Sequence, residues 1–238
     1  MTGRCTPPPD GGREADYVLC HGYVMAAPSP LRFLTQSFKQ ASTVGAVWPS
    51  SRGLSRAMVQ PIFSSVHRDG PMRVLEIGAG VGPVTEELVV RMLPGDRLDV
   101  VELNPEFCLV LRERFAGCQV PPNIHQVSIL DFDPGVRYHH IVSGLPLANF
   151  PGDMVEKIYA SIFKLLEPNG TFVMFEHVLG RELLNTFTTG TARKRIEHIL
   201  RIEQSMEGLV VDRRTVPLNM PPARVLVRKH PGANGGES

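Results

Sequence analysis

In Arg73-Val74-Leu75-Glu76-Ile77-Gly78-Ala79-Gly80-Val81-Gly82-Pro83 a short apolar run opens into a glycine-rich turn. Val74, Leu75 and Ile77 suit a strand buried on both faces of a parallel sheet, and the helix formers from Val84 to Met92 can run back across it. The glycines at 78, 80 and 82 let the backbone turn tightly and let a ligand approach where a Cβ would block it. A strand, loop and helix of this kind predicts an α/β domain that takes a nucleotide-like ligand.

The spacing refines that expectation. A dinucleotide fingerprint runs G-x-G-x-x-G, whereas here the glycines run G-x-G-x-G and Pro83 follows. Glu76, just before the loop, would oppose a pyrophosphate, so the loop suits a ligand without phosphates and with a positive charge. Leu98 to Val101 reads as a second strand ending in Glu102, an acid able to hydrogen-bond both hydroxyls of a ribose. A third strand, Ile124 to Ser128, leads to Asp131, positioned to accept a hydrogen bond from an adenine amino group.

Strand ends bearing Glu76, Glu102 and Asp131 in that order resemble the S-adenosylmethionine site of the class I methyltransferases. The resemblance runs from Arg73 to His177 and includes Leu165-Leu166-Glu167-Pro168-Asn169-Gly170-Thr171-Phe172, similar to that family's turn before its fifth strand, with Asn169 where a glycine is more usual. It implies a Rossmann-like α/β fold with a seven-stranded sheet and an N-terminal helical extension. It also implies S-adenosyl-L-methionine as cofactor, held by Glu76, Gly78, Gly80, Gly82, Glu102 and Asp131. The plainer alternative, a nucleotide-type fold without cofactor, leaves three acids at strand ends to chance.

At 238 residues and 26.2 kDa the chain accommodates one α/β domain with an extension at each end. Pro7, Pro8, Pro9, Gly11, Gly12, Pro28 and Pro30 mark residues 1–30 as a flexible tail, and Pro-Gly-Ala-Asn-Gly-Gly-Glu-Ser marks 231–238 as another. Between them stand a helical lid or membrane segment, 31–68, and the methyltransferase domain proper, 69–230. Cys5, Cys20, Cys108 and Cys118 lack metal-ligand spacing and the eight histidines form no H-E-x-x-H, so no metal is implied. No signal-peptide pattern and no long apolar run is present, which predicts a cytoplasmic location.

A net charge of +1 conceals a strong asymmetry. Tyr17 to Arg68 contains no acid but has Arg32, Lys39, Arg52, Arg56 and Arg68. Asp69 to Gly180 carries fifteen acids against eight bases, and Arg181 to His230 ten bases against five acids. An acidic centre between basic flanks points to a polyanionic partner, either a membrane surface or nucleic acid. Leu31 to Val44 has Leu31, Leu34, Phe38 and Ala41 at helical spacing, with Arg32, Gln36, Lys39 and Gln40 elsewhere on the wheel and Phe33 as a second aromatic. Such a helix can lie in an anionic bilayer interface or pack on the domain. Ser50 or Ser51 can cap the helix that follows from Arg52, and these hydroxyls lie where they could close over the methionine end of the cofactor.

Within this wider family, Phe33 to Met58, Ser143-Gly144-Leu145-Pro146-Leu147-Ala148-Asn149-Phe150-Pro151, Phe175-Glu176-His177, Arg193-Lys194-Arg195 and Asn219-Met220-Pro221-Pro222-Ala223 resemble the bacterial phospholipid N-methyltransferases. His177 departs from the tyrosine found there in some members. The resemblance implies N-methylation of an amino-lipid head group, phosphatidylethanolamine or ornithine lipid, at the inner face of the cell membrane. Gly144, Leu145 and Pro146 would form the floor under the methyl group, and Glu176 or His177 would face the amine, since strand alternation turns only one inward. Arg193, Lys194 and Arg195, with Arg32, Phe33, Phe38 and Lys39, would contact lipid. The chief competitor, the ribosomal RNA adenine dimethylases, has Asn-Leu-Pro-Tyr in its fourth-strand loop, where the amide grips the adenine amino group and the ring stacks on the flipped base. Gly144 and Leu147 replace both, so nucleic acid is disfavoured. A cofactor-binding, membrane-associated protein without catalysis is the third reading.

Overall fold

The computed structural model describes residues 52–64, 70–177, 190–217, 219 and 222–234, with backbone alone at 177, 190–192, 194, 195, 233 and 234. Seven strands form one sheet: β1 (Arg73–Ile77), β2 (Arg97–Glu102), β3 (Asn123–Gln126), β4 (Tyr138–Ser143), β5 (Leu166–His177), β6 (Val210–Val216) and β7 (Ala223–Lys229). Their order is β3-β2-β1-β4-β5-β7-β6; β7 points against the other six strands, inserted between β5 and β6. The chain winds outward from β1 to β3, then crosses back to place β4 on the other side of β1. That reversal leaves a crevice at the carboxyl ends of β1 and β4, the place where open α/β sheets bind ligands.

Helices cover both faces. Leu75, Ile77, Val101, Ile141, Phe172 and Leu226 pack toward α4 (Gly152–Leu165) and α5 (Gly190–Ser205). Val74, Leu98, Val100, Val142, Val173 and Val225 pack toward α1 (Arg52–Phe63), α2 (Pro83–Val89) and α3 (Pro105–Phe115). This double coverage is why β1 and β2 are buried at successive positions rather than at alternate ones. Helix starts follow local chemistry: proline stands at the first turn of α2 and α3, and Asn104 caps α3 by accepting from the Glu106 amide at 2.8 Å. α1 buries Leu54, Met58, Val59 and Ile62 on one stripe, so this part of the expected 31–68 segment lies on the sheet. The expected Leu31–Val44 helix lies outside the described residues, as do residues 1–30 and 235–238; Pro231–Asn234 forms a 3-10 turn.

Two buried polar clusters tie the layers. Asp99 of β2 accepts from Arg97 Nε (2.6 Å) and Tyr138 Oη (2.9 Å), and His125 Nε2 lies 2.8 Å from its other oxygen. Burial pushes the Asp99 carboxyl up, but these three partners outweigh it and hold the group below the usual carboxylate range. Tyr138 is fully buried. On the same face Arg228 of β7 donates to Tyr159 Oη (2.9 Å) and pairs with Glu203 of α5, while Tyr159 donates to Glu203 at 2.5 Å. Among the described residues no helix is long and apolar enough to cross a membrane, and no group of side chains could hold a metal.

Candidate active site

The glycine loop leaves β1 with Gly78, Gly80 and Gly82 at φ 70°, 58° and 87°, all in the left-handed region that favours glycine. Two of them have a second reason. A Cβ on Gly78 would lie 2.6 Å from the Leu145 side chain, and one on Gly82 would lie 2.7 Å from Phe115. A Cβ on Gly80 would meet nothing, so this residue borders open space. The loop is fastened from the next strand: Gly80 N–H donates to Glu102 Oε2 at 2.9 Å, and Asn104 N–H donates to Oε1 at 2.8 Å. Glu102 is 1% exposed; burial raises its carboxyl above the usual range against the pull of those amides.

A small cleft opens beside this loop. Its walls are apolar, formed by Ile77, Val101, Leu103, Ile129, Leu145 and Ile158, and Glu102 and Ser128 are the polar side chains on them. Asp131 is absent from these walls. β3 ends at Gln126, opposite Glu102, because β2 offers no partner beyond that residue. The chain leaves the sheet two residues earlier than expected, turns over the cleft at Ser128 to Leu130, and carries Asp131 to the surface. Ser128 thus occupies the place that the sequence suggested for Asp131; its signal was only its position at the end of an apolar run.

Glu76 is also absent from the cleft walls. It points to the α2 side beneath the loop, 2% exposed, with the Thr85 hydroxyl donating to it at 2.7 Å. Burial pushes its carboxyl up to about 8, opposed by Thr85 and reinforced by the nearby Glu102. Since the folded value exceeds that of the unfolded chain, any stabilisation tied to the protonated acid is full at low pH and is lost as pH rises toward about 8. Glu76→Gln is expected to flatten the fall in melting temperature between about pH 5 and pH 8. A variant that keeps the parent slope would remove Glu76 from that role.

At the end of β4, Gly144 N–H donates to Ile77 O at 2.8 Å, drawing this loop onto the glycine loop. Leu145 enters the cleft wall, Leu147 is buried, and Phe150 is wholly buried in the core. Glu176, at the carboxyl end of β5, lies opposite Arg224 of β7, with Nη1 3.4 Å from Oε1. For His177 the structure gives the backbone alone. Arg193 is exposed on α5 and pairs with Glu197 at 2.9 Å, far along the chain from the cleft residues; Lys194 and Arg195 are helical in backbone. Arg32, Phe33, Phe38, Lys39, Ser50 and Ser51 lie outside the described residues.

A family model described as ribosomal RNA adenine dimethylase matches residues 54–196. The chain belongs to that family. The ornithine lipid N-methyltransferase of Singulisphaera acidiphila is 32% identical over 145 residues, 59% of this chain and 73% of that one. The ribosomal RNA small subunit methyltransferase A of Pseudomonas fluorescens is 31% identical over 133 residues, 56% of this chain and 47% of that protein, so this family member spans about half of that relative's length. Among solved structures, the Burkholderia thailandensis 1,6-didemethyltoxoflavin-N1-methyltransferase superposes with a TM-score of 0.58 at 19% identity, covering 88% of this chain and 92% of that one. The Bradyrhizobium japonicum N-methyltransferase NodS in complex with S-adenosyl-L-homocysteine gives 0.51 at 16%, covering 85% and 88%.

This adenine-dimethylase family member is an S-adenosylmethionine-dependent class I methyltransferase. Its own residues fit the cofactor. Glu102, an acceptor-only group at the polar end of an apolar cleft, suits the two hydroxyls of a ribose, and the apolar walls suit an adenine ring. The open volume over Gly80 leaves the backbone accessible where a side chain would intrude. When bound, the sulfonium supplies an activated methyl group for in-line transfer to a nucleophile. What remains for the protein is to hold that nucleophile uncharged and aligned at the carboxyl ends of β1 and β4.

Proposed function

We propose that this methyltransferase methylates the amine of a membrane amino lipid, phosphatidylethanolamine or ornithine lipid. One observation carries the choice over RNA: a Cβ at position 144 would lie 2.6 Å from the Gly78 carbonyl oxygen. The adenine-gripping asparagine of the ribosomal enzymes would need that volume, and here the backbone of the glycine loop fills it. The next aromatic ring along this loop, Phe150, is 0% exposed and so not available to stack on a base, which supports the same choice. The similarity to an ornithine lipid N-methyltransferase across 73% of that protein supports the same reading.

In this reading the Gly144-Leu145-Pro146 backbone forms the floor beneath the methyl group. Glu176 attracts the lipid ammonium and accepts its proton or passes it to water, since only the neutral amine has a lone pair for attack. The acid-free segment 17–68 brings the enzyme to anionic lipid at the inner face of the cell membrane. The test is mass spectrometry of lipids from a host producing the protein, beside a host producing a Gly80→Val variant. Successive one-methylene additions to phosphatidylethanolamine or ornithine lipid, absent with the variant, are expected, together with co-sedimentation of the protein with anionic vesicles. Unchanged lipids in a host containing both, with methyl groups appearing on ribosomal RNA adenines instead, would establish the RNA reading.

A further inference from the structure

We propose that Arg224 recognises the anionic group beside the acceptor amine, forming with Glu176 a two-point anchor for a zwitterionic head group. This rests on the amino-lipid reading above and adds to it the chemistry that surrounds the amine. The two residues stand directly opposite in the β5–β7 ladder, on the face that also carries Met174 and Leu226. In the β4–β5 ladder the last pair is Ser143 opposite Met174, so Glu176 lies two residues further toward the carboxyl ends of the strands, where the cleft residue Leu145 also leaves β4. Glu102 and Ser128 mark the nucleoside end on β2 and after β3, which leaves the β4–β5–β7 side for the methyl acceptor.

The pair is built to open. Its 3.4 Å separation exceeds the roughly 2.7–2.9 Å of a committed charge-assisted hydrogen bond, and the Arg224 side chain is 39% exposed while that of Glu176 is 12% exposed. On its other side, Arg224 faces the uncharged Thr215 of β6. Arg228, four residues along the same strand and face, shows what a structural arginine looks like here: it is 1% exposed and engaged by Glu203, Tyr159 and the Met174 sulfur. A part-exposed guanidinium beside the strand ends, held loosely by a carboxylate, matches a ligand with an ammonium and an anionic oxygen a few bonds apart. The carboxylate takes the ammonium and the guanidinium takes a phosphate or carboxylate oxygen, for which its planar fork is suited.

Arg224→Gln and Arg224→Lys are to be compared with the parent enzyme on three substrates in mixed micelles. These are phosphatidylethanolamine, ornithine lipid, and a diacyl aminopropane that carries the amine but no anion. With Arg224→Gln, KM for the two zwitterions is expected to rise about tenfold or more, as loss of a charge-assisted contact entails. KM for the anion-free amine, kcat, and cofactor affinity by calorimetry are expected to stay within about twofold, and Arg224→Lys is expected to recover part of the loss. Equal changes on all three amines, or none, would overturn the anchor while leaving lipid methylation intact. If the parent enzyme methylates neither zwitterion, the amino-lipid reading falls and the anchor falls with it.

Discussion

Glu102→Ala is expected to abolish cofactor binding in calorimetry, lowering affinity at least about 100-fold, because each hydrogen bond to a charged group is worth about 1.5–3 kcal/mol. The carboxylate stands between the two parts of the site. Both of its oxygens already accept backbone amides, from Gly80 and Asn104, and so set the glycine loop against the start of α3. Each oxygen keeps a further lone pair for a ribose hydroxyl. Alanine removes those acceptors and leaves two amides without their partner, so the loop loses its tether as well as its ligand contact. Glu102→Gln is expected to fall between the two, since its amide group must turn one N–H toward a backbone N–H. An affinity for S-adenosylmethionine within about threefold of the parent in the alanine variant would remove Glu102 from the cofactor site.

The second large effect is on stability. Glu203→Ala is expected to cost about 3–5 kcal/mol, the usual consequence of removing one partner of a buried ion pair. For a chain of this size that is a fall of roughly 10 °C in melting temperature. Arg228 is 1% exposed, its Nε has no hydrogen-bond partner among the described residues, and its Nη2 faces Glu203. Without that carboxylate a guanidinium remains buried with, among the described residues, Tyr159 and the Met174 sulfur to receive it. Replacing both partners, Arg228→Met with Glu203→Leu, removes the stranded charge and is expected to recover most of the loss. Calorimetric melting of the three variants decides this; a double variant as unstable as Glu203→Ala would mean that the cluster holds by shape rather than by charge pairing.

These expectations draw unequally on sequence and structure. The β1 strand and its glycine loop were legible because their causes are local: apolar residues at adjacent positions, Val74 and Leu75, signal a strand covered on both faces, and positive φ demands glycine. Glu102 was legible for the same reason, as the residue at which an apolar run stops. Asp131 was not, because the β-forming run from Ile124 continues through Ser128 while the strand does not. The end of β3 depends on where β2 stops offering hydrogen bonds, at Glu102 opposite Gln126, and that is a property of two strands together. The burial of Tyr138 was not legible either, because its partner Asp99 lies thirty-nine positions away and two strands over.

The substrate side shows the same division. Sequence by itself determined that position 144 carries no amide and position 147 no ring. Only the tertiary structure decided why position 144 stays bare: the glycine loop and the β4 loop approach so closely that the Gly78 carbonyl occupies the space of a side chain. Likewise the sequence placed Glu176 at the end of a strand, but nothing near it in the chain announces Arg224. The two meet because β7 inserts antiparallel between β5 and β6, bringing residues forty-eight positions apart into one cross-strand pair. Local chemistry specifies a strand, a turn or a cap within a few residues, whereas a site assembled from several strand ends exists only once the sheet has set their register.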